Sequence, residues 1–262
     1  MTTVMNDEKV SPEEVSRFLA EYSSSLWSCG STCIRITKNV VRIANRLGYH
    51  ADIMMLPKHV TVSVVNNNTG EYAQYTSYMG QQPVNYNTNA SLSRLSWKIA
   101  DGKISFGASR KAMQNIFEIP RYKFWTVLCL VVCANASFCR LFGGDIMAMG
   151  IVAFATLIGF TIKTVMSWLH IDARVGVILA SYISAVIGTG GYIFDCTSTP
   201  DIALGTSVLY LIPGIPYINS VTDMIDGHYL CFFSRLMQAL ILTACIAAGL
   251  TLGFLTMNLN VF

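Results

Sequence analysis

Asn219, Asp223 and Asp226 are spaced by four and then three residues, the interval that puts side chains on one face of a helix. One amide and two carboxylates on such a face could hold the polar groups of a small molecule and carry a proton, because burial favours the neutral form of a carboxylate. They follow directly on Pro213-Gly214-Ile215-Pro216, within "LYLIPGIPYINSVTDMIDGH", residues 209 to 228. Proline removes a helical hydrogen bond and clashes with the preceding turn, so two prolines around a glycine interrupt an apolar helix. The helix is expected to restart at Pro216. Unwound backbone and a helix N-terminus beside polar side chains can form a substrate site in a membrane, with the positive end of the helix favouring a carboxylate. In this reading Asn219 and the helix start at Pro216 hold a carboxylate. Asp223 or Asp226 carries a coupling proton or binds an amine, and Arg235 pairs with one of them or with a second carboxylate. The same stretch also reads as a solvated loop with both aspartates in water, but Tyr229 to Phe233 is apolar again and points to a re-entrant or interfacial helix.

The elements that must position these residues lie in an unusually apolar chain. Of its 262 residues 53% are hydrophobic and 13% charged, against roughly a quarter charged in soluble domains. Residues 1–120 hold twelve Lys/Arg and nine Asp/Glu, and the longer remainder holds six of each. A soluble head and a membrane body are implied. A net charge of +3, dispersed along the chain, makes no basic stripe for nucleic acid. The N-terminus has neither an apolar leader core nor a basic leader, so the head is expected to stay in the cytoplasm.

The head, 1–120, reads as an α+β domain. Ser11 as N-cap, Pro12 at the first helical position and Glu14 in a capping box start a helix. A second helix is expected from about 31 to 47, ending at Gly48. Strands are expected near 52–55, 59–65 and 71–78, with "NNNTG" as a turn, then helices near 89–101 and 105–117.

The body, 121–262, reads as an all-α membrane domain of five transmembrane helices near 124–142, 146–168, 175–194, 202–221 and 236–257, the fourth broken at Pro213-Gly214-Ile215-Pro216. Arg121, Lys123, Lys163, Arg174 and Arg235 fall on one side, which the positive-inside rule makes cytoplasmic, although Arg140 lies at the outer end of the first span. This puts the N-terminus inside and the C-terminus outside, with Phe124, Trp125 and Trp168 as inner aromatic anchors. Ser181, Ser184, Gly188 and Gly191 in the third span, and Gly249 with Gly253 in the fifth, are small residues at helix-packing spacing. They suit packing within the chain or a face for another subunit.

Other residues point to less. The pairs Cys29/Cys33 and Cys129/Cys133 stand four apart, and Cys139, Cys196, Cys231 and Cys245 are scattered, so packing thiols are expected. His50, His59, His170 and His228 supply no ligand spacing for zinc. Asp145 and Lys163 could enter a polar path, with snorkelling as an equal explanation for Lys163. "CGSTCIR" resembles a nucleophile context only superficially, and a Gly-rich phosphate loop is absent. No cofactor is expected.

The stretch "GTSVLYLIPGIPYINSVTDMIDGHYLCFFSRLMQA" resembles the threonine/serine exporter family, whose pattern there is Pro-Gly-x-Pro, then Ile-Asn, an Asp four residues after the Asn, a Gly and an Arg. Pro213, Gly214, Pro216, Asn219, Asp223, Gly227 and Arg235 match it. A cytosolic head followed by five spans matches as well, so the likeness covers nearly the whole chain. It is similar above all to the YjjP-type large subunit of split members, which work with a small YjjB-type membrane subunit. The resemblance implies proton-driven export of small carboxylate metabolites: threonine and serine in fused members, succinate in the split pair. The head departs from the family, since "GSTCIRIT" keeps Gly30 and Arg35 but puts Thr32 and Thr37 where family members carry glutamates.

Together these features predict a multi-pass subunit in a bacterial inner membrane, exporting a small carboxylate with a YjjB-type partner, as a homo-oligomer, or both. A membrane-anchored enzyme is the weaker reading, because the head lacks a cluster of nucleophile, base and metal ligands. A non-transporting regulatory or scaffold subunit is the alternative.

Overall fold

The computed structural model describes residues 10–80, 84–120 and 122–258. The extreme N-terminus, Arg121 and the C-terminal residue, on which parts of the topology reading rest, lie outside these. Contacts divide the chain into two units, Met1–Pro120 with Ile215–Leu236, and Arg121–Gly214 with Met237–Phe262. The sequence reading put everything after residue 120 in the membrane part. Ile215–Leu236 instead packs with the first unit, because polar side chains on it find partners there.

In the first unit α1 (Pro12–Ser28) begins as expected, with the Ser11 hydroxyl accepting from Glu14 N–H at 3.3 Å and Pro12 where a missing N–H is harmless. Val15, Phe18, Leu19, Tyr22 and Leu26 recur at helical spacing and are all buried. Next, α2 (Cys33–Arg46) ends at Leu47 and Gly48, whose φ of +80° lets the chain enter β1 (Tyr49–Met55) at once, earlier than sequence placed that strand. β2 (His59–Asn66) and β3 (Tyr72–Tyr78) complete a three-stranded antiparallel sheet in the order β1-β2-β3. Its registers include Ile53 opposite Val62 and Val64 opposite Ala73. Ala51, Met55, Val60, Val62, Val64 and Ala73 face the core under α1 and α2. The "NNNTG" turn forms, with Asn66 Oδ1 accepting from Asn68 and Thr69 N–H. α3 (Tyr86–Ala100), capped by Asn85, packs on α2, and α4 (Phe106–Glu118) packs on α3.

The second unit is helical. Its members are α5 (Phe124–Leu141), α6 (Ile146–Trp168), α7 (Ala173–Ile193), α8 (Pro200–Ser207) with a 3-10 turn at Leu209–Leu211, and the part of α10 (Tyr229–Thr256) beyond Leu236. Among the described residues four helices, α5, α6, α7 and α10, are long and apolar enough to cross a membrane. A fifth span results if the bent pair Pro200–Leu211 and Gly214–Ile225 counts as one. Phe124 lies 5.3 Å from Trp125 and 5.5 Å from Trp168 between ring centroids, so the three rings cluster.

The small residues pack inside the chain. A Cβ on Gly249 would stand 2.5 Å from the Ile178 carbonyl, and one on Gly253 would stand 2.6 Å from Ala185 Cβ, so α7 and α10 touch through these positions. The Ser181 hydroxyl donates to the Ile246 carbonyl at 2.7 Å across the same contact. Gly188 and Gly191 face Ser207 and Thr197 in the same way.

Candidate functional site

The helix read here is interrupted as expected, but the helix that follows the break begins earlier. Ile212 is extended, Gly214 N–H bonds the Ile212 carbonyl at 2.9 Å, and α9 runs Gly214–Ile225. Pro216 is therefore not the helix start. It sits in the first turn, where the absent N–H has no intrahelical partner to lose, while Pro213 precedes the helix and Gly214 opens it.

Of the three residues read onto one face of α9, the structure brings together two. Asn219 and Asp223 are buried, Asp223 completely at 0% exposure, and Asp226 is exposed. The helix ends at Ile225 and turns at Gly227, φ +80°, so Asp226 lies past the last helical position and leaves the face. α10 begins immediately at Tyr229, several residues before the expected fifth span, and carries Arg235 back to Asp223.

The buried polar face of α9 meets the turn between α1 and α2. Asn219 Nδ2 donates to the Gly30 carbonyl at 2.9 Å, Cys33 N–H donates to Asp223 Oδ1 at 2.9 Å, and Arg235 donates to the Ser31 carbonyl at 2.6 Å. Arg235 Nε stands 3.3 Å from Asp223 Oδ2, near enough for an ion pair although not directed as a hydrogen bond. The guanidinium also lies over the Trp27 ring, 3.9 Å from its centroid.

Local sequence explains why the turn receives these groups. Gly30 takes φ +85°, and a Cβ there would press on Val84 at 2.8 Å, so the position demands glycine and presents its carbonyl. Thr32 is the N-cap of α2 but its side chain makes no cap bond, and the first turn of α2 carries no acid. The free N–H groups of a helix start call for an acceptor, and Asp223, 190 positions along the chain from Cys33, is that acceptor.

Cys33 and Cys231 share this core. The Cys231 thiol points at the Met55 carbonyl, 3.6 Å away. A hydrogen bond to Cys231, burial and the neighbouring Asp223 carboxylate push the Cys33 thiol well above the ordinary thiol range. "CGSTC" is thus a carbonyl-presenting turn that ends on a buried thiol. Cys29 caps α1 and Cys33 opens α2, so their spacing is not that of one helix face.

The rest of α9 is inverted relative to a soluble helix. Ile218, Val221, Met224 and Ile225 face outward, as do Tyr229, Leu230 and Phe233 at the start of α10. A helix with its polar side inward and its apolar side outward suits lipid or another apolar surface.

Sequence reading missed a second polar seam, inside the helical unit. Asn135 donates to Thr156 Oγ1 at 2.6 Å and to the Thr206 carbonyl at 3.2 Å, tying α5 to α6 and α8. Ser184 and Tyr210 are hydrogen-bonded at 3.0 Å, and a Cβ at Gly159 would collide with the Tyr210 hydroxyl. Asn135, within an otherwise apolar span, was the available signal. Asp145 caps α6 and gathers Thr197 and Ser198 at a helix end, and Lys163 lies half-buried on α6. Among the described residues no His/Cys/Asp/Glu group has a metal-site arrangement.

The family model ThrE, which describes threonine/serine exporters, matches residues 17–257. The chain belongs to the threonine/serine exporter family. That match spans both units, so the docking of α9 on the α1–α2 turn lies within the exporter family's own extent. Among similar proteins is "Probable succinate transporter subunit YjjP" of Escherichia coli K12, 30% identical over 51% of this chain and 52% of that protein. The Klebsiella aerogenes protein of the same name is 28% identical over the same shares. "Probable threonine/serine exporter" of Mycobacterium tuberculosis is 21% identical over 64% of this chain and 32% of that protein. The chain spans about half the length of the YjjP relatives it matches. No solved structure matches it. As a member of this exporter family with several apolar helices of spanning length, the chain is a multi-pass membrane protein.

Proposed function

We propose that this chain is one subunit of a proton-gradient-driven exporter of small carboxylate metabolites, threonine and serine or a dicarboxylate such as succinate. It lies in a bacterial inner membrane with residues 1–120 and the N-terminus in the cytoplasm and the C-terminus outside. It works with a small YjjB-type membrane subunit, as a homo-oligomer, or both. The names of its relatives support the substrate class, and the word "subunit" in two of them supports a partner.

The observation that carries the coupling role is the buried pair Asp223 and Arg235, seated on the α2 N-terminus and borne by the two helices that follow the break. A buried ion pair is stable only while both partners are charged. A proton placed on Asp223 discharges the pair and weakens the hold of α9 on the α1–α2 turn. Proton binding is thereby linked to movement of the second half of the broken span. Asn219, Arg235 and the backbone at Pro213, Gly214 and Pro216 complete the moving element, while Asp226, exposed beyond the helix, is the lesser candidate for the coupling proton.

The test is transport in vesicles containing this chain and its small partner. Asp223→Asn keeps size and one hydrogen-bond acceptor but cannot titrate, so gradient-driven efflux of succinate or threonine should be lost while exchange down a substrate gradient persists. Near-normal proton-driven transport in Asp223→Asn would sink the coupling role. Full transport by the small partner alone would make this chain a regulatory or scaffold subunit.

A further inference from the structure

We infer that the α1–α2 turn is a recognition site for a small carboxylate, and that Asp223 occupies it as the protein's own stand-in for that ligand. This rests on the transporter reading and adds the place where the substrate's carboxylate is received.

The site consists of groups that bind carboxylates and remain in place without Asp223. Cys33 N–H, at the start of α2, points at a carboxylate oxygen from 2.9 Å. Thr32 supplies no side-chain cap and the first turn of α2 carries no acid, so the helix itself brings nothing to fill this position. Arg235 is held by two contacts besides the carboxylate: its bond to the Ser31 carbonyl at 2.6 Å and its stacking on Trp27 at 3.9 Å. A guanidinium fixed in this way stays when the carboxylate leaves, ready to receive another.

The second observation is how poorly Asp223 fills the site. Among the described residues two buried side-chain atoms lack a hydrogen bond, Ser31 Oγ on this turn and Oδ2 of Asp223, whose other oxygen meets it. Ser31 is 1% exposed and Asp223 0%. Buried polar atoms are rarely left unbonded, and those that are need a reason. Asp223 is tethered by a short side chain to a helix whose position is also set by Asn219 on Gly30. It satisfies Cys33 with one oxygen and lies beside Arg235 with the other, out of line for a hydrogen bond. An untethered carboxylate can turn to take Cys33 N–H and the Ser31 hydroxyl on one side and the guanidinium fork on the other.

Ligand and Asp223 then exclude one another. A substrate carboxylate entering the turn displaces Asp223, and the displaced carboxylate, no longer paired with Arg235, becomes available for protonation. This gives substrate and proton one shared switch, with Ser31 as a residue that contacts ligand and not Asp223.

Binding to the full-length chain in detergent micelles tests this, by calorimetry and by the midpoint of thermal unfolding. The probes are succinate, threonine, the neutral isostere succinamide, and sulfate as a generic anion. Asp223→Ala should bind succinate at least about tenfold more tightly than the wild type, because the internal competitor is gone, and succinate should restore much of its lost thermal stability. If Asp223→Ala does not fold, Asp223→Asn serves, and it should also bind more tightly than the wild type. Arg235→Gln should bind neither carboxylate, and Ser31→Ala should bind more weakly while its ligand-free unfolding midpoint stays near that of the wild type. Response to threonine or to succinate alone identifies which carboxylate the turn accepts. Equal affinity in wild type and Asp223 variants, or a response to succinamide or sulfate matching that to succinate, overturns the inference. Binding in micelles needs neither gradient nor partner, so failed transport with sound carboxylate competition counts only against the transport reading. Sound transport without competition counts only against this site.

Discussion

At the α1–α2 turn a carboxylate and a guanidinium are buried together against backbone groups, whereas in the helical unit Asn135, Thr156, Ser184 and Tyr210 cross-link helices through amide and hydroxyl groups alone. Both networks are buried, and both join segments far apart in sequence. They differ in what can disturb them. Neutral amide and hydroxyl contacts keep their partners across the accessible pH range, and the glycines around them fix helix separation by shape. The ion pair depends on charge on both partners, Asp223 and Arg235. A transporter needs both kinds of joint, one rigid and one that proton or ligand can release. Here the charged joint lies on α9 and the neutral one on α5 to α8.

Breaking the charged joint should have the largest effect. Arg235→Ala leaves Asp223 buried without its cation and should destabilise the first unit by about 3–5 kcal/mol, read from denaturant unfolding in detergent. The Arg235→Ala, Asp223→Ala double variant should cost clearly less than the sum of the singles, since the two act on one interaction. Additive losses would mean that the two residues stabilise the unit separately. By contrast Asp226→Asn, on an exposed residue past the helix end, should change stability by no more than about half a kcal/mol.

Overpacking the rigid joint comes next. Gly159→Ala puts a methyl where the Tyr210 hydroxyl lies, so either Tyr210 loses Ser184 or α6 shifts, at about 1–3 kcal/mol. This loss should be the same at neutral and mildly acidic pH, because no group in the seam titrates there. A strongly pH-dependent penalty would erase the contrast between the two joints.

Much of the architecture was legible because it follows local rules. Ser11-Pro12 starts α1, Gly48 ends α2, "NNNTG" turns β2 into β3, and apolar runs mark the spans. The break at Pro213-Gly214 was legible for the same reason, since proline chemistry is local. What the polar face of α9 touches was not, because it depends on Gly30 and Cys33, some 190 residues away. Spacing gave Asn219 and Asp223 a common face but could not show that the helix ends before Asp226. The head motif "GSTCIRIT" and the "PGIPYIN" stretch were each noticed alone, and a one-dimensional reading has no means of seeing that the first offers backbone donors and acceptors to the second. The seam at Asn135 and Tyr210 escaped because a single amide or phenol in an apolar span carries no periodic signal.

The smallest effect is expected at a charged exception within the second unit, and it sharpens the comparison by its pH dependence. Asp145 caps α6, accepting from Ala148 N–H at 2.7 Å, the Thr197 hydroxyl at 2.7 Å and Ser198 N–H at 2.8 Å. These bonds, the one from Ala148 first, hold its carboxyl well below the ordinary carboxylate range. The folded protein thus binds this proton less readily than the unfolded chain, in which an aspartate titrates near about pH 3.9. The stabilisation is fully present above that value and is lost as pH falls toward the folded one. Asp145 is accessible to solvent, which screens its contribution, and it has no buried cation to abandon. Asp145→Ala should therefore lower the unfolding midpoint modestly, by an amount that stays level from about pH 8 to about pH 5 and narrows below about pH 4. A gap that instead widened in acid would mean that Asp145 is held protonated in the folded chain. It would then belong with the releasable joint at Asp223 and not with the fixed frame of the helical unit.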